Sequence, residues 1–338
     1  MRIKNIEYDK YKIQLKNVFK NHNREYSLRE GFIIKIMSQP FVGKGEVAPL
    51  DGFSKENFQE IIWTLEAFIE SVEINTEYTF KELLNLAEVH CSEIPSLHFA
   101  VDTALYDIEG QNRNLSIAAI LNPKCKNEIN LSDMYTTNNQ IKNIKSNYIK
   151  YKLGVNDLKH DIEILNTINT HNQSIKLRLD ANQAYTLEEF QNIYKQLSHL
   201  NIEYFEEPIK APNRYKLEKI KDISIAIDES IYMNNDYQQW IELGLINTLI
   251  IKPSIWGGFK KFHCLIKQYE KHNMKIVLSS ALENSIGNMA TIQLAAALDN
   301  QISHGLNIYD FYDCFLSQPI YKKNQSNINL DNINGLGI

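Results

Sequence analysis

Residues 148–182 read YIKYKLGVNDLKHDIEILNTINTHNQSIKLRLDAN. Two short runs rich in branched and aromatic residues, Tyr148–Leu153 and Ile175–Asp180, flank a polar segment with apolar residues at helical spacing. That is strand, helix, strand. Strand side chains alternate between faces, so Lys150 and Lys152 share one face and Tyr151 takes the other. Reading outward, further strand candidates are Glu128–Tyr135, Tyr204–Glu206, Ile225–Asp228, Thr248–Lys252, Lys275–Ser279 and a short one near Ser303. Comparable strand ends are separated by 28 residues (Lys152 to Asp180), 26 (to Glu206), 22 (to Asp228), 24 (to Lys252) and 27 (to Ser279). A strand-and-helix unit recurring at this spacing predicts a parallel β/α barrel.

All C-terminal strand ends of such a barrel open onto one mouth. The predicted ends are Lys150-Tyr-Lys152, Asp180-Ala-Asn182, Glu206-Glu-Pro208, Asp228-Glu-Ser230, Lys252-Pro-Ser254 and Ser279-Ser280. Two ammonium groups on one inward face need acidic partners, and Asp180, Glu206 and Asp228 supply them from consecutive strands. Three carboxylates suit Mg²⁺, with Mn²⁺ as a substitute, better than zinc, which favours His and Cys. Lys252 faces Lys152 across the cavity. This arrangement suits removal of a proton next to a substrate carboxylate: the cation and one amine stabilise the charge that develops, and the other amine acts as base. A lysine base must be neutral, and a second ammonium group beside it disfavours the charged form. Each motif alone is commonplace: Lys-x-Lys on a solvated strand, Asp-Ala-Asn and Asp-Glu-Ser as helix caps, Glu-Glu-Pro and Lys-Pro-Ser as loops. Their order, one per β/α unit, carries the argument.

The N-terminal part reads as a separate α+β unit. Strands are expected at Ile3–Leu15 and Glu30–Met37, a loop at Gly43–Ser54, an N-cap at Ser54, and helices at Lys55–Val72, Thr79–Leu86 and Ser96–Glu109. The expected division is a capping domain over 1–115, a barrel over 116–319, and a C-terminal return over about 320–338. The 338 residues suffice for two cores, and the composition (43% hydrophobic, 23% charged) is that of a globular protein. A net charge of −5 without a clustered basic excess argues against nucleic-acid binding; Lys142–Lys145 and Lys260–Lys261 read as solvated helix faces. Cys91, Cys125, Cys264 and Cys314 lack C-x-x-C spacing and read as reduced thiols. Without a signal-type N-terminus or a membrane-length apolar run, the expected setting is cytoplasmic, with no membrane partner.

The ordered set resembles the enolase superfamily, specifically its muconate-cycloisomerase-like branch, and the resemblance covers about residues 2 to 338. It implies a modified (β/α) barrel with an N-terminal α+β capping domain, with Lys152 as base, Lys252 as opposing lysine, and Asp180, Glu206 and Asp228 as metal ligands. Gly45-Glu-Val-Ala-Pro-Leu50 with Gly52-Phe-Ser54, Ser279-Ser-Ala-Leu-Glu283 with Ile286-Gly287, and His304-Gly-Leu306 resemble segments of the o-succinylbenzoate synthase family. That implies syn dehydration of 2-succinyl-6-hydroxy-2,4-cyclohexadiene-1-carboxylate to 2-succinylbenzoate, a step of menaquinone synthesis. Lys152 would take the proton and return it to the departing hydroxyl. Candidate contacts to this small-molecule carboxylate are Lys150, Arg178, Asn182, Ser279, Ser280, Gly305, Leu306 and Phe53, with Phe53 as a lid and Arg178 alternatively in an ion pair at the barrel bottom. His304 reads as structural.

The competing readings are N-succinylamino acid racemase and dipeptide epimerase, which resemble the same pattern. Dipeptide epimerases resemble one another in an Asp-x-Asp near the eighth strand, whereas this chain has Asp310 and Asp313, three apart. A ligand-binding barrel without catalysis would lack a ligand or a lysine. A phosphate-binding barrel would carry a glycine-rich loop after the seventh or eighth strand, where Gly287 and Gly305 stand alone. The oligomeric state stays open.

Overall fold

A computed structural model describes residues 1–338 except 21–24, 136–143, 221–222, 234–235, 270–271, 299, 310 and 324, so Lys142 and Asp310 lie outside the described residues. Strands β1 (Asn5–Lys20), β2 (Glu25–Ser38) and β3 (Phe41–Val47) form an antiparallel sheet in that order. The segment Gly43–Val47, expected as loop, is therefore strand, and its glycines have a packing role. A Cβ on Gly43 would lie 1.9 Å from the Ala104 carbonyl oxygen, and one on Gly45 the same distance from that of Ala100. Both carbonyls belong to helix α3 (Pro95–Arg113), which lies directly on the strand. We expect Gly45→Ala to force strand and helix apart and cost about 1–3 kcal/mol; an unchanged midpoint in chemical denaturation would contradict this packing.

Helix α1 (Phe58–Ser71) starts later than expected. Its N-cap is Asn57, whose side chain accepts from the Gln59 and Glu60 N–H groups at 3.0 Å, while Glu60 reaches back to the Asn57 N–H at 3.1 Å. Ser54 instead accepts from the Leu50 N–H at 2.9 Å, inside the preceding turn. Thr79 caps α2 (Phe80–Cys91) with the same reciprocal pattern through Glu82. The three helices and the sheet share a core containing Ile34, Ile36, Leu65, Phe68, Ala100 and Leu105.

The second layer system is parallel. After α4 (Ile117–Leu121), the expected strand 128–135 splits in two. Strand β4 (Glu128–Asn130) pairs antiparallel with the late strand β12 (Asn327–Asn329), and only β5 (Asp133–Met134) joins the barrel. From there β6 (Tyr148–Lys152), β7 (Lys176–Asp180), β8 (Ile202–Glu206), β9 (Ile225–Ile227), β10 (Thr248–Ile251) and β11 (Lys275–Leu278) follow in spatial as in chain order. Among the described residues, the eighth place holds no regular strand. Gly305 bridges Ser279 and His304 bridges Leu131, so residues 303–305 link the two edges and close the ring. Helices α5 (Leu158–His171), α6 (Leu187–Leu197), α7 (Glu229–Met233), α8 (Tyr237–Glu242), α9 (Pro253–Trp256), α10 (Phe259–Tyr269) and α11 (Ser285–Ala297) alternate with the strands, and residues 211–219 form a 3₁₀ helix after β8.

Parity sorts the strand residues. Ile149, Tyr151, Leu177, Leu179, Phe205, Ile225, Ile227, Leu249, Ile251 and Leu278 belong to the large core beneath the helices. Tyr204, Ala226, Ile250 and Val277, with Ile302, form a small separate cluster inside the barrel. Each of these four strand positions lies two residues before a mouth residue: Glu206, Asp228, Lys252 and Ser279. The floor of apolar side chains and the polar mouth are successive layers of the same inward face.

Buried polar contacts join the two parts. Glu46 of β3 accepts from the Tyr11 hydroxyl (2.7 Å) and from the Asn284 and Gly287 N–H groups (2.7 and 2.8 Å), closing the N-terminus of α11. Asp102 of α3 accepts from the Phe259 N–H at 2.8 Å, at the start of α10. The C-terminal residues return to α3, where the Leu336 N–H donates to Asp107 at 2.8 Å. All four cysteines are free, and no helix among the described residues is long and apolar enough to cross a membrane.

Candidate active site

The barrel mouth opens into a cavity of about 310 Å³. Its lining includes Lys150, Lys152, Asp180, Asn182, Asp228, Lys252, Ser279, Ser280, Gly305 and Phe53. β6 and β10 stand four places apart in an eight-place ring, so Lys152 and Lys252, at their ends, occupy opposite walls. The arc between them carries Asp180, Glu206 and Asp228. The other arc carries Ser279, Ser280, Gly305, Ser132, Asp133 and Met134.

Lysines and carboxylates are already engaged. The Lys150 ammonium sits between Asp180 (2.9 Å) and Glu206 (2.7 Å), and Lys252 contacts Asp228. The Lys152 ammonium is 3.5 Å from the Asn182 side-chain oxygen. Burial holds the Lys152 amine below its usual value; Asp180 pulls it back up, while Lys150 pushes it down. Lys150 is moved the other way: burial disfavours its charge, but Asp180, Glu206 and Asp228 together raise it well above the ordinary lysine. The two amines of one Lys-x-Lys thus have opposite characters, one locked as a cation and one eased toward neutrality. Burial and the neighbouring Asp180 raise the Glu206 carboxyl.

Aromatic rings cover both amines. Phe19 lies over Lys152 (4.7 Å from ammonium to ring centre) and Phe53 over Lys252 (4.6 Å). Phe19 packs edge-on to Phe311, and Phe53 edge-on to Tyr232, whose hydroxyl accepts from the Lys252 N–H at 2.6 Å. Phe19, Tyr26, Glu229, Asn307 and Phe311 line the cavity and were not singled out from sequence. Phe19 and Tyr26 sit on strands far away in the chain, and no local spacing ties them to the barrel.

Two expected contacts, Arg178 and Leu306, lie away from the cavity lining. Arg178 shares the parity of Asp180 but lies one layer deeper. It pairs with Glu203 (2.6 Å), donates to the Ser303 carbonyl (2.8 Å) and stacks near Tyr148 and Tyr204, so it is the barrel-bottom ion pair. Leu306 is wholly buried in the main core. Ser280 lines the cavity, but its hydroxyl donates to Glu283 at 2.6 Å. Glu206 is buried just under the lining, against Lys150. His304 accepts from the Leu278 N–H at 3.0 Å, and burial with nearby Arg178 lowers its imidazole to about 3, which makes it a neutral structural residue.

Among the described residues, no three His, Cys, Asp or Glu side chains form a ready metal cage; ammonium groups lie against the carboxylates instead. The donor chemistry nonetheless fits a hard divalent cation: three carboxylates on adjacent strands, and neither imidazole nor thiol in the lining. Asp228 is held from behind by Glu207, which accepts from the Asp228 N–H (2.8 Å), the Ser230 N–H (3.0 Å) and the Ser230 hydroxyl (2.8 Å) and pairs with buried Arg214.

A family model described as "Enolase C-terminal domain-like" matches residues 139–338. The chain belongs to the enolase superfamily. A second model, "MenC, N-terminal domain", matches residues 3–108. The o-succinylbenzoate synthase of Pasteurella multocida is 26% identical over 327 residues, covering 94% of this chain and 93% of that one. The L-amino acid-D/L-Glu epimerase of Francisella philomiragia is 24% identical over 343 residues, 96% of each. Among solved structures, the Enterococcus faecalis dipeptide epimerase complexed with Mg and L-Leu-L-Tyr matches with a TM-score of 0.85 at 23% identity, covering 100% of this chain and 99% of that one. The fold is the superfamily's modified barrel with an N-terminal capping domain, and the chain is an o-succinylbenzoate synthase-like enzyme of that superfamily.

Proposed function

We propose that the chain is an o-succinylbenzoate synthase, a hydro-lyase that dehydrates 2-succinyl-6-hydroxy-2,4-cyclohexadiene-1-carboxylate to 2-succinylbenzoate in menaquinone synthesis. The carrying observation is the pair of amines on opposite walls of one cavity, with the carboxylates along a single arc between them. In this reading residues 1–115 with 320–338 form the cap and 116–319 the barrel. Asp180, Glu206 and Asp228 would hold Mg²⁺, which when bound supplies positive charge to the substrate carboxylate. Lys152, eased toward neutrality by burial, takes the proton beside that carboxylate. Lys252 stays protonated beneath Phe53 and stabilises the negative charge that develops. Lys152 then gives its proton to the departing hydroxyl, and water leaves from the same face. The base and acid are one residue, so a single face of the substrate suffices.

Racemisation, the second reading, draws on the same two opposed amines. It needs Lys152 and Lys252 to trade protons across both faces of one carbon. Asp313, an exposed residue, pairs with Lys16 at 2.7 Å rather than lining the cavity, which weighs against a dipeptide amine as ligand. The test is direct. With Mg²⁺ present, the protein should consume the cyclohexadiene with loss of diene absorbance, and a chelator should stop it. No turnover of that substrate, together with α-proton exchange of N-succinylamino acids in D₂O, would replace the first reading by the second.

A further inference from the structure

Arg29 of β2 is buried and belongs to neither the cavity lining nor the core clusters. Its guanidinium spends its donors on main-chain carbonyls from two distant loops. Nη1 donates to Pro49 (2.9 Å) and Nη2 to Ala48 (3.0 Å), both in the segment leading to Leu50, Gly52 and Phe53. Nε donates to Leu282 (3.1 Å), and Nη2 also reaches Ala281 (3.4 Å), in the loop after β11 that carries Ser279, Ser280 and Leu282. Both loops wall the cavity.

The second loop needs outside support. Leu282 has φ of +60°, a left-handed conformation unfavourable for a branched side chain. Its carbonyl also accepts from the Tyr312 hydroxyl at 2.6 Å. Within the loop, Glu283 accepts from the Ser280 hydroxyl (2.6 Å), the Ala281 N–H (2.8 Å) and the Ser254 hydroxyl (2.5 Å). Ser254 lies two residues beyond Lys252. One rigid fork thus ties the loop bearing Phe53 to the loop bearing the mouth serines, and through Glu283 to the end of the strand carrying Lys252.

We propose that Arg29 is a positioning residue that sets the distance between these two walls of the mouth, and with it the seat of Phe53 over Lys252. The effect on catalysis rests on the function proposed above; the effect on the loops does not. A planar fork with fixed donors does this, and a lysine, with one mobile ammonium, does not reproduce it. Arg29→Lys keeps the charge but cannot reach both loops at once.

The test combines steady-state kinetics with amide hydrogen exchange on the full chain. Arg29→Lys should raise KM for the cyclohexadiene carboxylate about tenfold while kcat changes less than about threefold, as expected when binding contacts loosen and the base is untouched. Exchange should quicken at residues 48–54 and 280–283 and stay unchanged in β7 and β8. Tyr312→Phe, which removes the other donor to the Leu282 carbonyl, should shift exchange at 280–283 the same way and stands in if Arg29→Lys does not fold. Exchange at both loops equal to wild type, or a rise spread evenly over the chain, would overturn the positioning role, as would unchanged KM in a variant whose loops have loosened. A wild-type protein inactive on the substrate would remove the function proposal, and the exchange measurement would still decide the role of Arg29.

Discussion

Lys152→Ala should lower kcat for the dehydration by about 10²–10⁴-fold, leaving the fold and the denaturation midpoint near those of the wild type. The expectation follows from the chemistry assigned to one amine. Under the proposed mechanism Lys152 is both base and acid, so its removal disables proton abstraction and hydroxyl departure together. Neither neighbour replaces it. Lys150 is held as a cation by Asp180 and Glu206, and Lys252 stands on the opposite wall against Asp228. Structural damage should be small because Lys152 lines an open cavity, and Phe19 over its ammonium is itself half-buried. The pH profile gives an independent check. Burial lowers the Lys152 amine, so kcat/KM should climb as the ammonium loses its proton and level off below the ordinary lysine value of about 10.4. A Lys152→Ala variant with wild-type turnover, or a rise that levels off only above that value, would exclude Lys152 as the base.

The residues now grouped in the mouth were legible because two independent periodicities agree on them. The β/α spacing places Lys152, Asp180, Glu206, Asp228 and Lys252 at strand ends, and alternation within each strand turns them inward. Both follow from backbone geometry, which local sequence expresses well. Parity does not report depth: Arg178 and Asp180 share a face, yet one pairs with Glu203 below while the other meets Lys150 above. Nor does adjacency report exposure, as Gly305 lines the cavity while Leu306 fills the core. Strand β3 was hidden because its glycines serve close approach by α3, a tertiary demand that looks like turn composition. The expected N-cap of α1, Ser54, gives way to Asn57, an equally good capping residue, because Glu60 supplies Asn57 with the reciprocal bond. The eighth strand, expected near Ser303, is reduced to two isolated bridges at His304 and Gly305. Phe19 reaches the site, and Arg29 the loops that wall it, across the boundary between cap and barrel, and such contacts have no signature in spacing along the chain.

Arg214→Met should destabilise the protein by about 3–5 kcal/mol, the cost of leaving a buried charge without its partner. Arg214 and Glu207 are both fully buried and paired, with the guanidinium 4.7 Å from the Trp240 ring centre. Glu207 also sits at φ of +45°, a conformation that its hydrogen bonds to Asp228 and Ser230 help to maintain. Removing the guanidinium strands the carboxylate in a site that water does not reach. The double variant Glu207→Gln with Arg214→Met should be the more stable of the two, because it leaves no buried charge, even though it carries more changes. A buried pair of this kind contributes little net stability, because its attraction is offset by the cost of burying both charges; its value lies in where it holds Asp228. Glu207 accepts from the Asp228 N–H at 2.8 Å, on the very residue that carries the inward carboxylate. In the double variant we expect divalent-cation affinity to fall by about 10–100-fold, as when outer partners of a ligand are lost. Denaturation midpoints test the first part, and titration of activity with Mg²⁺ tests the second. A double variant less stable than Arg214→Met would show that the carboxylate is kept by its bonds to Asp228 and Ser230 and is not stranded by loss of the guanidinium. Unaltered Mg²⁺ dependence would mean that Asp228 keeps its place without Glu207, or that it is not a ligand.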